Sequence, residues 1–396
     1  MEMYRRTYAE IDLDALEKNI SALRGPLGDK TFFCPMVKAN AYGHGDVQVS
    51  RALELMGIHQ VGVCLIEEGL LLRNFGVKSD ILVFRGFDRE GARKILEYNM
   101  TPVVSAWDQI EHLEAVATTP VQIHLKFDTG MNRLGFATKE APKLFERLWQ
   151  NPKVRLKALV THLSHGEDAN SEEGRSSTQL RALSEVARTF KAFDPIVHAL
   201  NSAGIIHRLE LTKKRNLEGR ILGERDWGCR PGLAMYGFNP VAPGVGCDLA
   251  PVMNLKSQVG VYRTLAQGET VSYGGTWTAQ RDSVIAVVPI GYADGYHRIL
   301  SNRSHAIFRD QKVPVVGTVC MDYLMLDVTD AIRNKPDLND HDVILFGRSS
   351  GGMVMSAEEL ARHSGTITWE VLTSIGERVP RLYKGAKAAL LNEEPQ

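Results

Sequence analysis

Along the first 230 residues, short apolar runs rich in β-branched side chains alternate with longer stretches of helical period. The runs Thr31–Val37, Gln60–Ile66, Ile81–Phe84, Thr101–Val104, Val121–Phe127, Leu156–Thr161, Pro195–Leu200 and Asp226–Cys229 read as strands. Asp46–Met56, Ala141–Trp149 and Ser177–Ala192 carry helical spacing between them. Eight strands separated by helices are the count of an α/β fold of the (β/α)8, TIM-like barrel type. After about Pro243 the rhythm changes. Ser257–Leu265, Ser283–Ile290, Val313–Cys320, Tyr323–Val328 and Asp342–Phe346 read as strands between Gly- and Asp-rich turns. Ser356–His363 and Thr368–Ser374 are the helical exceptions. The expected division is a barrel over residues 12–243 and a mainly β C-terminal domain over residues 244–396, joined by residues 1–11. The Pro/Gly-rich segment 231–246 reads as the linker and the tail from Lys384 as frayed.

Composition narrows the function classes. The chain has 396 residues, 44% of them hydrophobic and 24% charged, which is ordinary for a folded protein and leaves ample length for a core. Lys+Arg and Asp+Glu both number 47, so no basic excess points to nucleic acid or an anionic membrane surface. The longest stretch without charge, Pro231 to Cys247, is broken by prolines and glycines and is no membrane span. The N-terminus lacks the apolar centre of a signal peptide. Five scattered cysteines with no CxxC pair suit a reduced cytoplasm and give no structural-zinc pattern. No metal is expected.

Barrel active sites stand where strands end and βα loops begin. Strand one ends at Lys38, with Tyr42 beyond it. Strand five runs through Lys126 and Asp128 toward Arg133. Strand six ends at His162, strand seven at Asn201, Ser202 and Gly204, and strand eight at Arg230, Gly232 and Leu233. Phosphate sites are common after strands seven and eight, and a lysine facing one suits a Schiff base with a phosphorylated aldehyde or sugar. Taken singly, each residue has a plainer reading: a solvated lysine, a packed tyrosine, a hydrogen-bonded core histidine, turn glycines. Their joint placement on successive strand ends favours function.

The motifs VKANAYGHG, KFDTGMNRLGF, THLS, NSAG, RPGLAMYG, VSYGGTW, GYADGY, GTVCMDYLMLDVT and RVPR follow one another along the whole chain. In that order they resemble the alanine racemase family, the barrel-fold amino-acid racemases dependent on pyridoxal 5'-phosphate (PLP). The resemblance implies a homodimer with shared active sites. It implies that Lys38 carries PLP and that Tyr42, Ser202 and backbone N–H groups near Gly232 and Leu233 hold its phosphate, beside Asn201. Arg230 would face the pyridine nitrogen and His162 would pack near the ring. Arg133 would lie beside the substrate carboxylate. Tyr273, Met321, Asp322 and Tyr292 would come from the partner subunit, with Tyr292 narrowing the substrate entrance.

On that reading the chain interconverts L- and D-alanine, supplying D-alanine for peptidoglycan precursors. A planar carbanion has two faces, and two bases, Lys38 and Tyr273, would serve one each. Arginine can only donate, so Arg230 would discourage a proton on the pyridine nitrogen and weaken the electron sink. On strand five, Gln122, His124, Lys126 and Asp128 should face the barrel interior, setting Lys126 near Arg133. In many family members the matching lysine is carbamylated, and the same is expected of Lys126; the alternative is an ion pair with Asp128. Aligning RVPR places Glu377 where some members have a tyrosine reaching the phosphate region, so that contact is expected to be lost. The charged segment 211–225 suggests no function. Other readings are a serine or broad-spectrum racemase, a barrel-fold PLP decarboxylase, and a non-catalytic PLP-binding protein. The absent signal peptide, the VSYGGTW tyrosine and the second domain weigh against these in turn.

Overall fold

The computed structural model describes residues 4–28, 30–333 and 341–393. The chain forms two compact units: Asp14–Ala41 with Asp46–Ala250, and the N-terminal residues to Leu13 with Tyr42–Gly45 and Pro251–Ala389.

The first unit is built on a parallel sheet. Gln60–Val63, Asp80–Val83, Thr101–Val104, Val121–Asp128, Val154–Val160, Ile196–Leu200 and Gly228–Cys229 pair in that order, with helices between them. Apart from Ile196 at the start of its strand, their β-branched and leucine side chains are buried on both faces, as in a sheet wrapped by helices. Residues 31–37 close the ring. Phe33 bridges Cys229 on one side and Met36 bridges Gly62 on the other, both parallel. This first strand is two bridges rather than a continuous ladder, because Pro35 within it has no N–H to donate. The segment read as a linker behaves differently from a linker at its start. Leu233–Tyr236 is a buried 3-10 turn, and the Tyr236 hydroxyl donates to the Met36 carbonyl at 3.0 Å.

The second unit is mainly β. Its large sheet runs Gln311–Pro314, His305–Phe308, Asp342–Arg348, Met253–Gln258, Tyr8–Asp12, Arg381–Lys384. Tyr8–Asp12 pairs antiparallel with Met253–Gln258 and parallel with Arg381–Lys384. The expected fraying from Lys384 is therefore corrected: Lys384 ends a paired strand, and the helix Ala386–Glu393 follows it. The expected strand Ser257–Leu265 is two, Met253–Gln258 and Val261–Leu265, turned at Val259 and Gly260. The latter joins Ser283–Val288 and Leu324–Asp327 in a separate three-stranded sheet.

The turn after Lys38 has an unusual backbone. Ala39, Asn40, Ala41 and Tyr42 all have φ between 51° and 53°, a left-handed turn without glycine. L-residues pay roughly 1–2 kcal/mol each for this conformation. Local bonds hold it: Glu68 Oε1 accepts from the Ala39 N–H at 2.7 Å, and Asn40 Oδ1 accepts from the Asp46 N–H at 3.0 Å. Gly43 follows at φ 84°, and a Cβ there would stand 2.2 Å from the Leu372 carbonyl oxygen. Strain of this kind collects at functional sites. Ala39 is exposed and loses no packing on truncation. Ala39→Gly is expected to raise the unfolding free energy by about 0.5–1 kcal/mol in urea titration. A loss of stability would show that the turn is unstrained.

Candidate active site

In the barrel unit the strand ends gather positive charge. His162 sits among Arg230, Arg133, Lys126 and Lys38. Burial first, and then these four cations, press its pKa down to about 3. The imidazole is therefore neutral at any working pH. Lys38 itself is half-buried at the start of the left-handed turn. None of the four cations makes an ion pair among the described residues. Arg133 is exposed, but Arg230 and Lys126 are buried and Lys38 half-buried, and buried cations without an ion pair call for an anion.

Arg230 is 4% exposed. Its guanidinium donates to His198 Nδ1 at 2.8 Å, to the Thr161 carbonyl at 2.7 Å and to the Ala199 carbonyl at 3.4 Å, with His162 Nδ1 at 3.5 Å. All these partners are neutral. Because arginine only donates, His198 Nδ1 must accept, which leaves its proton on Nε2. Nε2 then donates to His124 Nδ1 at 2.8 Å. Burial lowers both histidines, His124 to about 3 and His198 well below the ordinary value, so the chain stays neutral. Burial also lowers Arg230 itself, to about 10.

Strand five places His124 and Lys126 inside the barrel as the alternation requires, while Gln122 at its start is exposed. Lys126 is pushed down to about 8, by burial first and by Arg230 and Arg133 next. The alternative pairing with Asp128 is corrected. Asp128 Oδ1 accepts from the N–H groups of Gly130, Met131 and Asn132, and Oδ2 from that of Arg133, all at 2.9–3.0 Å. That carboxylate fastens the loop carrying Arg133 and makes no ion pair with Lys126.

Ser202 opens the twelve-residue helix Ser202–Lys213, capped by Asn201 Oδ1 on the Gly204 N–H at 3.1 Å. Ser202 Oγ accepts from the Gly232 and Ala234 N–H groups at 3.0 and 3.2 Å, which leaves its own proton to donate. A hydroxyl donor at a helix N-terminus, next to the turn after strand eight, is a fitting phosphate cradle. The donor set as a whole matches PLP. It offers a lysine for the aldehyde, a buried arginine that can only donate toward a ring nitrogen, and this cradle for the phosphate.

The second unit holds the remaining predicted residues. Tyr42 is buried and its phenol is pushed up to about 12, so it stays protonated and able to donate. Tyr273 is 74% exposed although its backbone is pinned: its carbonyl accepts from Thr318 Oγ1 at 2.8 Å, and Ser272 Oγ donates to the Thr318 carbonyl at 2.6 Å. Tyr292, Met321 and Tyr323 are exposed as well. The Tyr292 N–H donates to the Cys320 carbonyl at 3.0 Å, so the turns carrying Tyr292 and Met321 are neighbours. Asp322 pairs with Arg378 at 2.6 Å. Glu377 is exposed. Arg381 of RVPR donates to the Gly43 carbonyl at 2.9 Å and anchors that segment. In the segment 211–225, Ile221 and Leu222 are buried, and the Ile221 carbonyl accepts from Trp227 Nε1 at 2.8 Å, a packing role.

The sequence alone does not single out His198, Thr161 or Glu68. His198 alternates with apolar neighbours on its strand, the same signal that marks His124. Among the described residues no helix is long and apolar enough to cross a membrane, and no group of three side chains is set to hold a metal.

Comparison with known proteins matches this geometry. The family model for the alanine racemase N-terminal domain matches residues 11–240, and that for the C-terminal domain matches residues 252–383. The alanine racemase of Sorangium cellulosum is 40% identical over 395 residues, covering 96% of this chain and 99% of the relative. The solved alanine racemase of Clostridium difficile 630 superposes with a TM-score of 0.85 at 29% identity, covering 97% of each chain. That of Bartonella henselae, solved with covalently bound pyridoxal phosphate, has a TM-score of 0.81 at 29% identity, covering 96% of this chain and 99% of that one. The chain belongs to the alanine racemase family of isomerases.

Proposed function

We propose that the chain interconverts L- and D-alanine with PLP, using Lys38 and Tyr273 as bases on opposite faces of Cα. The observation that carries the reading is the cluster of four unpaired cations around a neutral His162, next to a phosphate cradle. Lys38 would hold the cofactor's aldehyde carbon. Ser202, Tyr42 and the backbone at Gly232 and Leu233, beside Asn201, would hold its phosphate. Arg230 would donate toward the ring nitrogen, and His162 would pack by the ring. When bound, PLP withdraws electrons from Cα of the attached amino acid and acidifies its C–H bond. Lys38 Nζ takes or returns the proton on one face and Tyr273 Oη on the other. Arg133, held by the Asp128 turn, binds the substrate carboxylate. His198 and His124 keep Arg230 oriented as a donor.

The exposed side chains of Tyr273, Tyr292, Met321 and Tyr323 support a homodimer in which each β domain completes the partner's barrel site. Tyr292, Met321 and Asp322 then narrow the entrance and favour a small substrate. The product D-alanine feeds peptidoglycan precursors. Five cysteines without a disulfide suit action in the cytoplasm. The test is racemisation of L-alanine by the PLP-loaded protein, read by chiral chromatography beside L-serine, L-lysine and L-arginine. D-alanine is expected as the dominant product. Similar rates for the larger amino acids would move the chain to the broad-spectrum racemases.

Lys126 is read as carbamylated. Its neutral amine attacks the carbon of CO2, a C–N bond forms, a C=O electron pair moves to oxygen, and the nitrogen loses a proton to solvent. With a pKa of about 8, roughly a tenth of the amine is neutral at pH 7, against about one part in 3000 for an ordinary lysine. The resulting anion answers the surplus of cations beside Arg133. A carbamate resonance from labelled bicarbonate is expected in carbon NMR. At fixed dissolved CO2 it grows as pH rises through about 8, and it is missing in Lys126→Gln. No resonance in the native protein would remove the proposal.

A further inference from the structure

Asp294 is a fully buried carboxylate in the β unit, in the GYADGY motif. Arg5 grips it with one guanidinium nitrogen at 2.8 Å from both oxygens. Arg378 Nε stands 3.5 Å from Oδ1, and the Gly291 N–H donates to Oδ2 at 3.1 Å. The second arm of Arg5 donates to the Arg378 carbonyl at 2.8 Å, so the two arginines are themselves tied together. Arg378 continues outward and donates to Asp322 at 2.6 Å.

Two turns hang on this network. The turn Tyr292–Asp294 closes on its own carboxylate through Gly291. It is stitched to the neighbouring turn by Tyr292 N–H to the Cys320 carbonyl and Ala293 N–H to the Met321 carbonyl, both at 3.0 Å. Gly291 is required at this seam, since a Cβ would lie 2.2 Å from the Cys320 carbonyl oxygen. Tyr292, Met321 and Asp322 therefore move as one piece, and the piece is bolted to the domain through Asp294. A buried carboxylate with two arginines is an expensive way to hold two surface turns, and a stability role alone would be met as well by apolar packing.

We infer that Asp294, clamped by Arg5 and Arg378, is a positioning residue that fixes Tyr292, Met321 and Asp322 as a rigid substrate gate and thereby sets the preference for alanine over larger amino acids. This rests on the reading of those three residues as the entrance. Loosening the clamp widens the gate without touching the groups that move the proton.

The test compares Asp294→Asn, Arg378→Met and Tyr292→Ala in the PLP-loaded full chain, with L-alanine and L-serine as substrates. Asp294→Asn keeps the shape and removes the charge. Arg378→Met frees Asp322 while leaving the buried Arg5–Asp294 pair, so it remains informative if the first variant folds poorly. Both are expected to raise KM for alanine about 5- to 20-fold, keep kcat within about 3-fold, leave the cofactor absorbance unchanged and raise the serine-to-alanine ratio of kcat/KM at least 5-fold. Arg378→Lys is expected to restore part of the KM. A loss of kcat with KM and the ratio unchanged would overturn the positioning role. If Tyr292→Ala shifts the ratio but neither clamp variant does, the clamp is wrong and the entrance reading stands. If Tyr292→Ala also leaves the ratio unchanged, the entrance reading itself fails.

Discussion

Tyr273→Phe is expected to lower alanine racemisation by about 10²–10⁴-fold while the folded protein keeps its cofactor absorbance and thermal stability. The phenol is exposed, and the bonds that pin this turn are made by backbone and by Ser272 and Thr318, so the hydroxyl contributes little to folding. The equilibrium constant between enantiomers is one, so kcat/KM must fall equally in both directions. Exchange of the Cα hydrogen with solvent must not. With Lys38 intact, one enantiomer still exchanges its hydrogen for deuterium in heavy water, while the other, whose hydrogen faced Tyr273, does not. Deuterium uptake by L- and D-alanine, followed by mass spectrometry, checks this. Equal loss of exchange from both enantiomers would mean that the phenol is not a face-specific base.

Arg230→Met bears on function and stability together. A buried guanidinium lowered from 12.5 to about 10 is held at a cost of order 3 kcal/mol. Against that stand three bonds from a charged donor, each contributing about 1.5–3 kcal/mol. The bonds outweigh the burial cost, so the cofactor-free variant is expected to unfold more easily than the native protein by about 2–6 kcal/mol in denaturant titration. Activity is expected to fall by about 10²–10³-fold, as when a preorganised donor is removed from a polar site. A large loss of stability with activity retained would make Arg230 a structural residue and remove the donor from the mechanism.

The barrel was legible because its strands are local signals: compact β-branched runs such as 81–84 and 121–127, each bounded by turn residues. Strand one was harder in detail, since Pro35 breaks the ladder that its apolar run suggests. The tail is not legible from sequence, for a non-local reason. Arg381–Lys384 becomes a strand only because Tyr8–Asp12, at the other end of the chain, offers it an edge. The same division holds at the site. Lys38, Arg133 and Arg230 could be placed by counting to strand ends. The two oxygens of Asp128 could not be assigned, because whether they met Lys126 or four backbone N–H groups depends on how the following loop curls. Asp294 reads from sequence as an ordinary turn aspartate, and only the arrival of Arg5 and Arg378 shows its charge to be used.

The central claim is that one site draws its two bases from two chains. Mixing separately purified Lys38→Ala and Tyr273→Phe proteins, each inactive and differently tagged, tests it most directly. In a mixed dimer one site carries both substitutions and the other carries neither. After subunit exchange, confirmed by co-purification of the tags, statistical mixing predicts recovery of about a quarter of native alanine racemase activity. Mixed dimers that form and stay inactive would contradict the account.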